Sequence, residues 1–292
     1  MSEASEPAER VAKLLARAGL CSRRDAERWI AAGRVSVDGQ VLTSPALTVG
    51  AANDVRVDGL PLPSRERARL WRYHKPAGLV TTHRDEKGRP TVFDALPKEL
   101  PRVISVGRLD LNSEGLLLLT NDGGLARRLE LPATGWLRRY KVRVHGEVDP
   151  DRLTALEKGI TIDGVAYGSI RASLERRQGS NAWIALALRE GKNREVRKVL
   201  EHLGLPVTRL IRLSFGPFQL GNLGRGEVAE VPKKVLAEQL ERIRRCKFLA
   251  RAELDDHERI GGEPAGAIKG FERRRGEPAS VRRVDKRHRA LQ

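Results

Sequence analysis

The sequence predicts an α+β protein, with a small helix-helix-strand unit followed by a longer mixed unit. Three observations carry this. The 292 residues suffice for two domains, one of them large enough to bury a full core. Strand-like and helix-like segments do not alternate regularly, which argues against a doubly wound parallel sheet. The stretch Leu60-Pro61-Leu62-Pro63-Ser64 reads as a linker between the two units.

Residues 1–8 are polar and acidic, and read as a flexible leader without the apolar segment of a secretory signal. From Glu9 the pattern becomes helical. Val11, Leu14, Leu15 and Ala18 share one face, and Gly19 supplies a stop. Ser22 caps a second helix that runs to about Ala32, with Asp25 in the capping-box position. Val35-Ser36-Val37 and Val55-Arg56-Val57 alternate like strands, each followed by an Asp-Gly turn. The second unit, residues 68–246, mixes strands at Tyr140–Val144, Trp183–Leu188 and Val228–Val231 with helices at Gly123–Glu130, Asp151–Lys158 and Asn193–Leu203. Residues 247–292 read as a basic, disordered tail; from Glu241 onward there are 15 Lys/Arg against nine Asp/Glu and few apolar residues to pack.

Charge points to the partner. The net charge is +17, far beyond what solubility needs, and it suits a polyanion, above all a nucleic acid. Residues 9–64 form a compact unit in which Arg10, Lys13, Arg17, Arg23, Arg24, Arg28 and Arg34 all fall in the helices and turns. Seven bases against three acids over residues 8–35 favour a phosphate-facing surface. The longest aliphatic run, Leu116–Leu119, is too short to span a membrane. Two distant cysteines, Cys21 and Cys246, and six scattered histidines give no metal-ligand spacing and suit a reducing compartment.

One segment carries chemistry. In Gly107-Arg108-Leu109-Asp110-Leu111-Asn112-Ser113-Glu114-Gly115 an acid sits in a polar loop bracketed by glycines and leads into the aliphatic run. A buried strand of that kind holds such a loop still. Pattern alone favours a strand and its lead-in turn, with Asp110 acting as a cap or an ion-pair partner.

This segment, continued through Leu116-Leu117-Leu118-Leu119-Thr120-Asn121-Asp122-Gly123, closely resembles the catalytic motif of RNA pseudouridine synthases, in the ribosomal small-subunit branch. Lys75-Pro76-Ala77-Gly78 resembles the strand-turn that precedes the motif. Arg139-Tyr140-Lys141-Val142 resembles the strand carrying the active-site tyrosine. Glu190–Lys198 resembles the segment that supplies a basic partner, and Leu210-Ile211-Arg212 the segment that follows it. The first unit is similar to the RNA-binding module of ribosomal small-subunit protein four. The resemblance covers about residues 9–245. The departures, at Asn112-Ser113-Glu114 and Lys198-Val199-Leu200, leave the acid untouched.

The resemblance implies a mixed, mostly antiparallel catalytic sheet and the isomerisation of uridine to pseudouridine in ribosomal RNA. It implies Asp110 as the essential acid, Arg197 as the guanidinium that pairs with it, and Tyr140 as the residue that stacks on the base and shuttles a proton. Whether Asp110 attacks C1′, attacks C6 or stabilises sugar cation character stays open. Arg108, Lys75, Lys192 and Arg194 are candidate phosphate clamps beside the site, with Arg17, Arg23, Arg24 and Arg28 in the RNA-binding module. The expected partner is ribosomal RNA or a pre-ribosomal particle. No metal, cofactor, nucleotide or membrane is expected, and the enzyme is expected to be a cytoplasmic monomer. The basic tail favours 23S over 16S rRNA. A non-catalytic ribosome-assembly factor explains the charge but not the intact acid motif. A glycoside hydrolase built on Asp110 and Glu114 fits the loop-strand context poorly.

Overall fold

The computed structural model describes residues 8–64, 66–243 and 245. The tail expected over 247–292, and all but Ala8 of the leader expected over 1–8, lie outside them.

The chain opens with β1 (Glu9–Arg10), α1 (Val11–Arg17) and α2 (Arg23–Ala31). The capping box forms as expected: the Ser22 hydroxyl accepts from the Asp25 amide at 3.1 Å, and the Asp25 carboxylate accepts from the Ser22 amide at 3.3 Å. Four short strands follow: β2 (Val35–Val37), β3 (Gln40–Val41), β4 (Thr48–Val49) and β5 (Val55–Val57). The stretch read as a linker instead begins with β6 (Leu60–Pro61), which pairs antiparallel with β5. Proline is tolerated there because this is an edge strand. Val11, Leu15, Ala26, Ile30, Val35 and Val55 close a small core between the helices and this sheet.

The rest is built on one nine-stranded sheet. Its strands are β7 (Leu70–Lys75), β8 (Ile104–Val106), β9 (Ser113–Thr120), β10 (Arg138–His145), β13 (Ile170–Gln178), β14 (Asn181–Leu188), β15 (Val207–Phe215), β16 (Phe218–Gln219) and β17 (Val228–Glu230). A separate ribbon joins β11 (Ile160–Ile162) to β12 (Val165–Tyr167). The helices are α3 (Gly123–Glu130), α4 (Pro150–Ala155) and α5 (Glu195–His202), with 3-10 turns at Pro132–Thr134 and Leu156–Lys158, and residues 233–243 are helical. The main order is β13-β14-β10-β15-β9-β7-β17, with β8 beside β9 and β16 beside β15. Every pairing in this sheet is antiparallel except β15 with β9, so the sheet is mixed and mostly antiparallel. No described helix is long and apolar enough to cross a membrane.

The aliphatic run needs both faces of β9. Leu116 and Leu118 pack with Leu125 and Leu129 of α3, while Leu117 and Leu119 pack with Trp71, Tyr73 and Val92. All eight β9 residues are buried, so this strand reads as a continuous hydrophobic run rather than an alternating one. A third core lies between α5 and the inner residues Val142, Ile184, Leu186 and Leu210. Both regions of the chain belong to one compact unit, and Arg17 Nε of α1 reaches Asp122 Oδ2, the N-cap of α3, at 4.0 Å.

The parallel β9–β15 contact depends on one glycine. Gly115 has φ +101°, and a Cβ there would lie 2.3 Å from the Arg212 carbonyl oxygen. The Gly115→Ala variant is expected to lose at least about 2 kcal/mol of stability, through left-handed strain and backbone overlap. A denaturation midpoint equal to that of the parent would refute this account of the strand pairing.

Candidate active site

Strand register assembles the site. Reading across the sheet, Leu186, Tyr140, Arg212, Gly115 and Lys75 occupy one row on β14, β10, β15, β9 and β7. Tyr140 and Arg212 of this row line a cavity of about 710 Å³. Asp110 and Arg108 enter from the β8–β9 loop, Thr81 and Asp85 from the β7–β8 connection, and Lys192, Arg194 and Arg197 from the start of α5. The volume is in the range that accommodates a nucleoside.

The Asp110 loop is held by its backbone. Thr81 Oγ1 donates to the Leu109 carbonyl at 2.8 Å, and the Gly78 amide donates to the Leu111 carbonyl at 2.8 Å. Arg197 Nη2 donates to the Asn112 carbonyl at 3.0 Å. Beneath the loop lies Lys75, fully buried, whose ammonium donates to the carbonyls of Pro76, Asp110, Leu111 and Ser113 at 3.0, 3.1, 3.3 and 2.9 Å. Five consecutive carbonyls, from Leu109 to Ser113, therefore have donors from outside the loop. The Asp110 side chain is left facing the cavity, about one-third exposed, with Arg194 Nη1 3.7 Å from its Oδ2.

Several expected site residues are placed differently from their expected roles. Lys75 does not face phosphate; it is sealed below the Asp110 loop. Burial pushes its pKa down to about 8, and the Asp110 and Glu114 carboxylates oppose that shift. Arg197 does not pair with Asp110. Its two Nη groups are committed to the Val207 and Asn112 carbonyls, because α5 directs the buried guanidinium under the loop rather than over it. The guanidinium nearest the acid is that of Arg194, which caps α5 in the left-handed region at φ 50°. A non-glycine residue held there is costly and points to a functional constraint. Lys192 lines the cavity with its ammonium engaged by Glu190 and by the Ala166 carbonyl, at 2.5 and 2.7 Å. Arg108 stays exposed at the rim with no carboxylate partner among the described residues. In the N-terminal unit Arg17 pairs with Glu9 at 2.6 Å, and Arg28 pairs with Asp25; Arg23 and Arg24 stay exposed.

Two residues join the site that the candidate set omitted. Arg212 is buried beneath Tyr140, donates through Nε to the Leu116 carbonyl at 2.7 Å, and leaves Nη2 without a partner. Burial lowers its pKa, and the Tyr140 hydroxyl opposes this. Glu195 is a buried cavity carboxyl, raised by burial and held by the Lys192 amide at 2.9 Å. The available signal for Arg212 was phase: in Leu210-Ile211-Arg212 the charge falls on the same side of the strand as the inward leucine.

Comparison with known proteins settles the family. Residues 69–202 match the RNA pseudouridylate synthase family model, and residues 9–55 match the S4 domain model. An uncharacterized RNA pseudouridine synthase from Rickettsia bellii is 51% identical over 227 residues, covering 78% of this chain and 98% of its own. The chain belongs to the RNA pseudouridylate synthase family. Ribosomal large subunit pseudouridine synthase B from Salmonella typhi is 46% identical over 73% of this chain and 75% of its own. The same-named protein from Yersinia pestis is 42% identical over 77% and 73%. A crystal structure of a pseudouridylate synthase superposes with a TM-score of 0.55 at 25% identity, over 78% of this chain and 98% of that one.

Two predictions separate the cations around Asp110. Lys75→Met strands buried carbonyls, so it is expected to cost about 3 kcal/mol or more and to abolish turnover. The depressed Lys75 pKa sets the pH dependence: between about 8 and the ordinary lysine value of 10.5 the folded chain binds this proton less tightly than the unfolded one, so the Lys75 contribution to stability should rise as pH climbs through that window. A melting temperature of the parent that falls relative to that of Lys75→Met over the same window would contradict this. Arg194→Gln leaves the fold intact and is expected to lower kcat about tenfold or more at unchanged melting temperature. Arg197→Met is expected to lower both. Equal melting losses in the two variants would show that this division of roles is incorrect.

Proposed function

We propose that this enzyme isomerises a specific uridine of 23S ribosomal RNA to pseudouridine, with Asp110 as the essential catalytic acid. One observation carries the assignment of Asp110: its carboxylate faces a nucleoside-sized cavity from a loop whose carbonyls are held by four outside donors, Lys75, Gly78, Thr81 and Arg197. The large-subunit names of the Salmonella and Yersinia relatives support the substrate.

The reaction breaks the N1–C1′ bond, turns the uracil, joins C5 to C1′, and exchanges the C5 proton for one on N1. Atoms balance without an oxidant or a co-substrate. Asp110 supplies the carboxylate that this bond exchange needs, and Arg194, 3.7 Å away, orients it. Tyr140 offers a ring to stack on the extruded base and a hydroxyl to carry the proton. Arg212 fixes that hydroxyl from below. Extrusion costs a few kcal/mol and is easiest from single-stranded or strained RNA.

The unit over residues 9–64 serves as an RNA-binding module, with Arg23 and Arg24 as phosphate contacts remote from the flipped base. The tail over 247–292 adds affinity by counterion release. The enzyme acts as a cytoplasmic monomer without a cofactor.

Asp110→Asn is expected to retain RNA affinity and to lose turnover to below about one per cent of the parent. A pseudouridine map of ribosomal RNA from cells lacking the gene should show one 23S position missing. Loss of a 16S position instead would overturn the substrate while leaving the enzyme class intact.

A further inference from the structure

We propose that the open face of the β13-β14-β10-β15 sheet, opposite the catalytic cavity, is a second RNA-binding surface that holds a single-stranded segment of the substrate. This rests on the reading of the chain as an RNA-modifying enzyme.

One face of these strands is covered by α4 and α5, which pack on Val142, Ile184, Leu186 and Leu210. The alternate residues face away. Strand β14 shows the split, with Ala182, Ile184, Leu186 and Leu188 buried and Trp183, Ala185 and Ala187 partly exposed. Register sets the uncovered residues in rows. The first is Arg171, Ala187 and Arg139; the second Ser173, Ala185, Lys141 and Ile211; the third Arg176, Trp183, Arg143 and Arg209. Small side chains thus form a floor along β14. Cations stand on both sides of it, and an indole lies at one end.

Charge argues for the occupant. Six cationic side chains share this face with two carboxylates. Glu175 pairs with Lys141 at 3.1 Å, and Glu114 is shared between Arg209 and Arg225 at 2.8 and 3.2 Å. Among the described residues, Arg139, Arg143 and Arg171 have no carboxylate partner, and Arg143 Nε has no hydrogen-bond acceptor. Arg139, Lys141 and Arg143 repeat every second residue of β10, about 6.8 Å apart, a spacing that follows the phosphates of an extended strand. Trp183 lies at a hollow lined also by Lys141, Glu175, Arg176, Arg209 and Ile211, with Lys141 Nζ 5.4 Å from its ring centroid. A cationic track interleaved with an aromatic is the general means of holding single-stranded nucleic acid without sequence preference. The basic tail of this chain has the wrong sign to occupy such a face.

The test compares two unmodified 23S fragments: a short stem-loop that fills only the catalytic cavity, and a longer fragment with single-stranded flanks. The triple variant Lys141→Ala, Arg143→Ala, Arg171→Ala should bind the long fragment at least about tenfold more weakly. Its slope of log affinity against log salt should fall by about two. Turnover on the stem-loop should be unchanged. The charge-conserving triple Lys141→Arg, Arg143→Lys, Arg171→Lys should restore the long-fragment affinity. In parallel, the parent enzyme is photocrosslinked to a long fragment carrying 4-thiouridine in its flanks, which needs no variant to fold. Crosslinks on the β13, β14 or β10 peptides that face away from the cavity support the proposal. Crosslinks confined to the cavity and the N-terminal unit, or parent-like affinity and salt slope in the alanine triple, overturn it. A parent enzyme that forms no pseudouridine in either fragment fails the functional reading instead, which is a separate outcome.

Discussion

The Asp110 loop is fixed by its main chain, and above all by a buried ammonium. Lys75 is fully enclosed and donates to the carbonyl of the acid itself and to those of Leu111 and Ser113 after it. A buried cation is costly unless it is fully hydrogen-bonded, and here the loop supplies the acceptors. The dependence is mutual. The loop takes its shape around the ammonium, and the ammonium is soluble in the core because of the loop. The Asp110 side chain is thereby excused from structural duty and left to the cavity.

The fold was largely readable in the sequence because its elements obey local rules. The Ser22 cap, the Asp-Gly turns and the helix at Gly123–Glu130 appear where their residues demand them. The strands at Ile170–Gln178 and Val207–Phe215 were harder. The first carries charged residues through much of its length because one face of that part of the sheet is uncovered, and the second carries Arg209 on the open face and Arg212 buried on the covered one. Leu60–Pro61 read as a linker because proline signals a break, yet an edge strand tolerates it. At the site, the motifs singled out Asp110 and Tyr140, and both line the cavity. The roles of Lys75, Arg194 and Arg197 were not. Which guanidinium faces the acid depends on the left-handed turn at Arg194 and on the direction in which α5 sends Arg197, and neither is written in residue spacing.

The cations sort by partner rather than by number. Arg17, Arg28, Arg34 and Lys192 are each engaged by a carboxylate within the chain. Arg23, Arg24 and Arg108, with the three arginines of the open sheet face, are not. The high net charge is therefore an incomplete guide to where RNA lies. Position and pairing divide structural cations from those free to meet phosphate.

The single parallel pairing in the sheet has a consequence for how the enzyme comes into being. Ser113 lies beside Leu210, and Tyr73 beside Val228, so the strands that flank the acid meet partners far along the chain. Such long-range contacts close late and slow the folding of a domain. During synthesis the acid's loop emerges well before β15, the strand that carries Arg212. A nascent chain stopped short of β15 holds the N-terminal unit and the Asp110 motif but lacks Arg212, Leu210 and Phe215 of the cavity lining. The growing polypeptide is able to meet RNA before it is able to modify it.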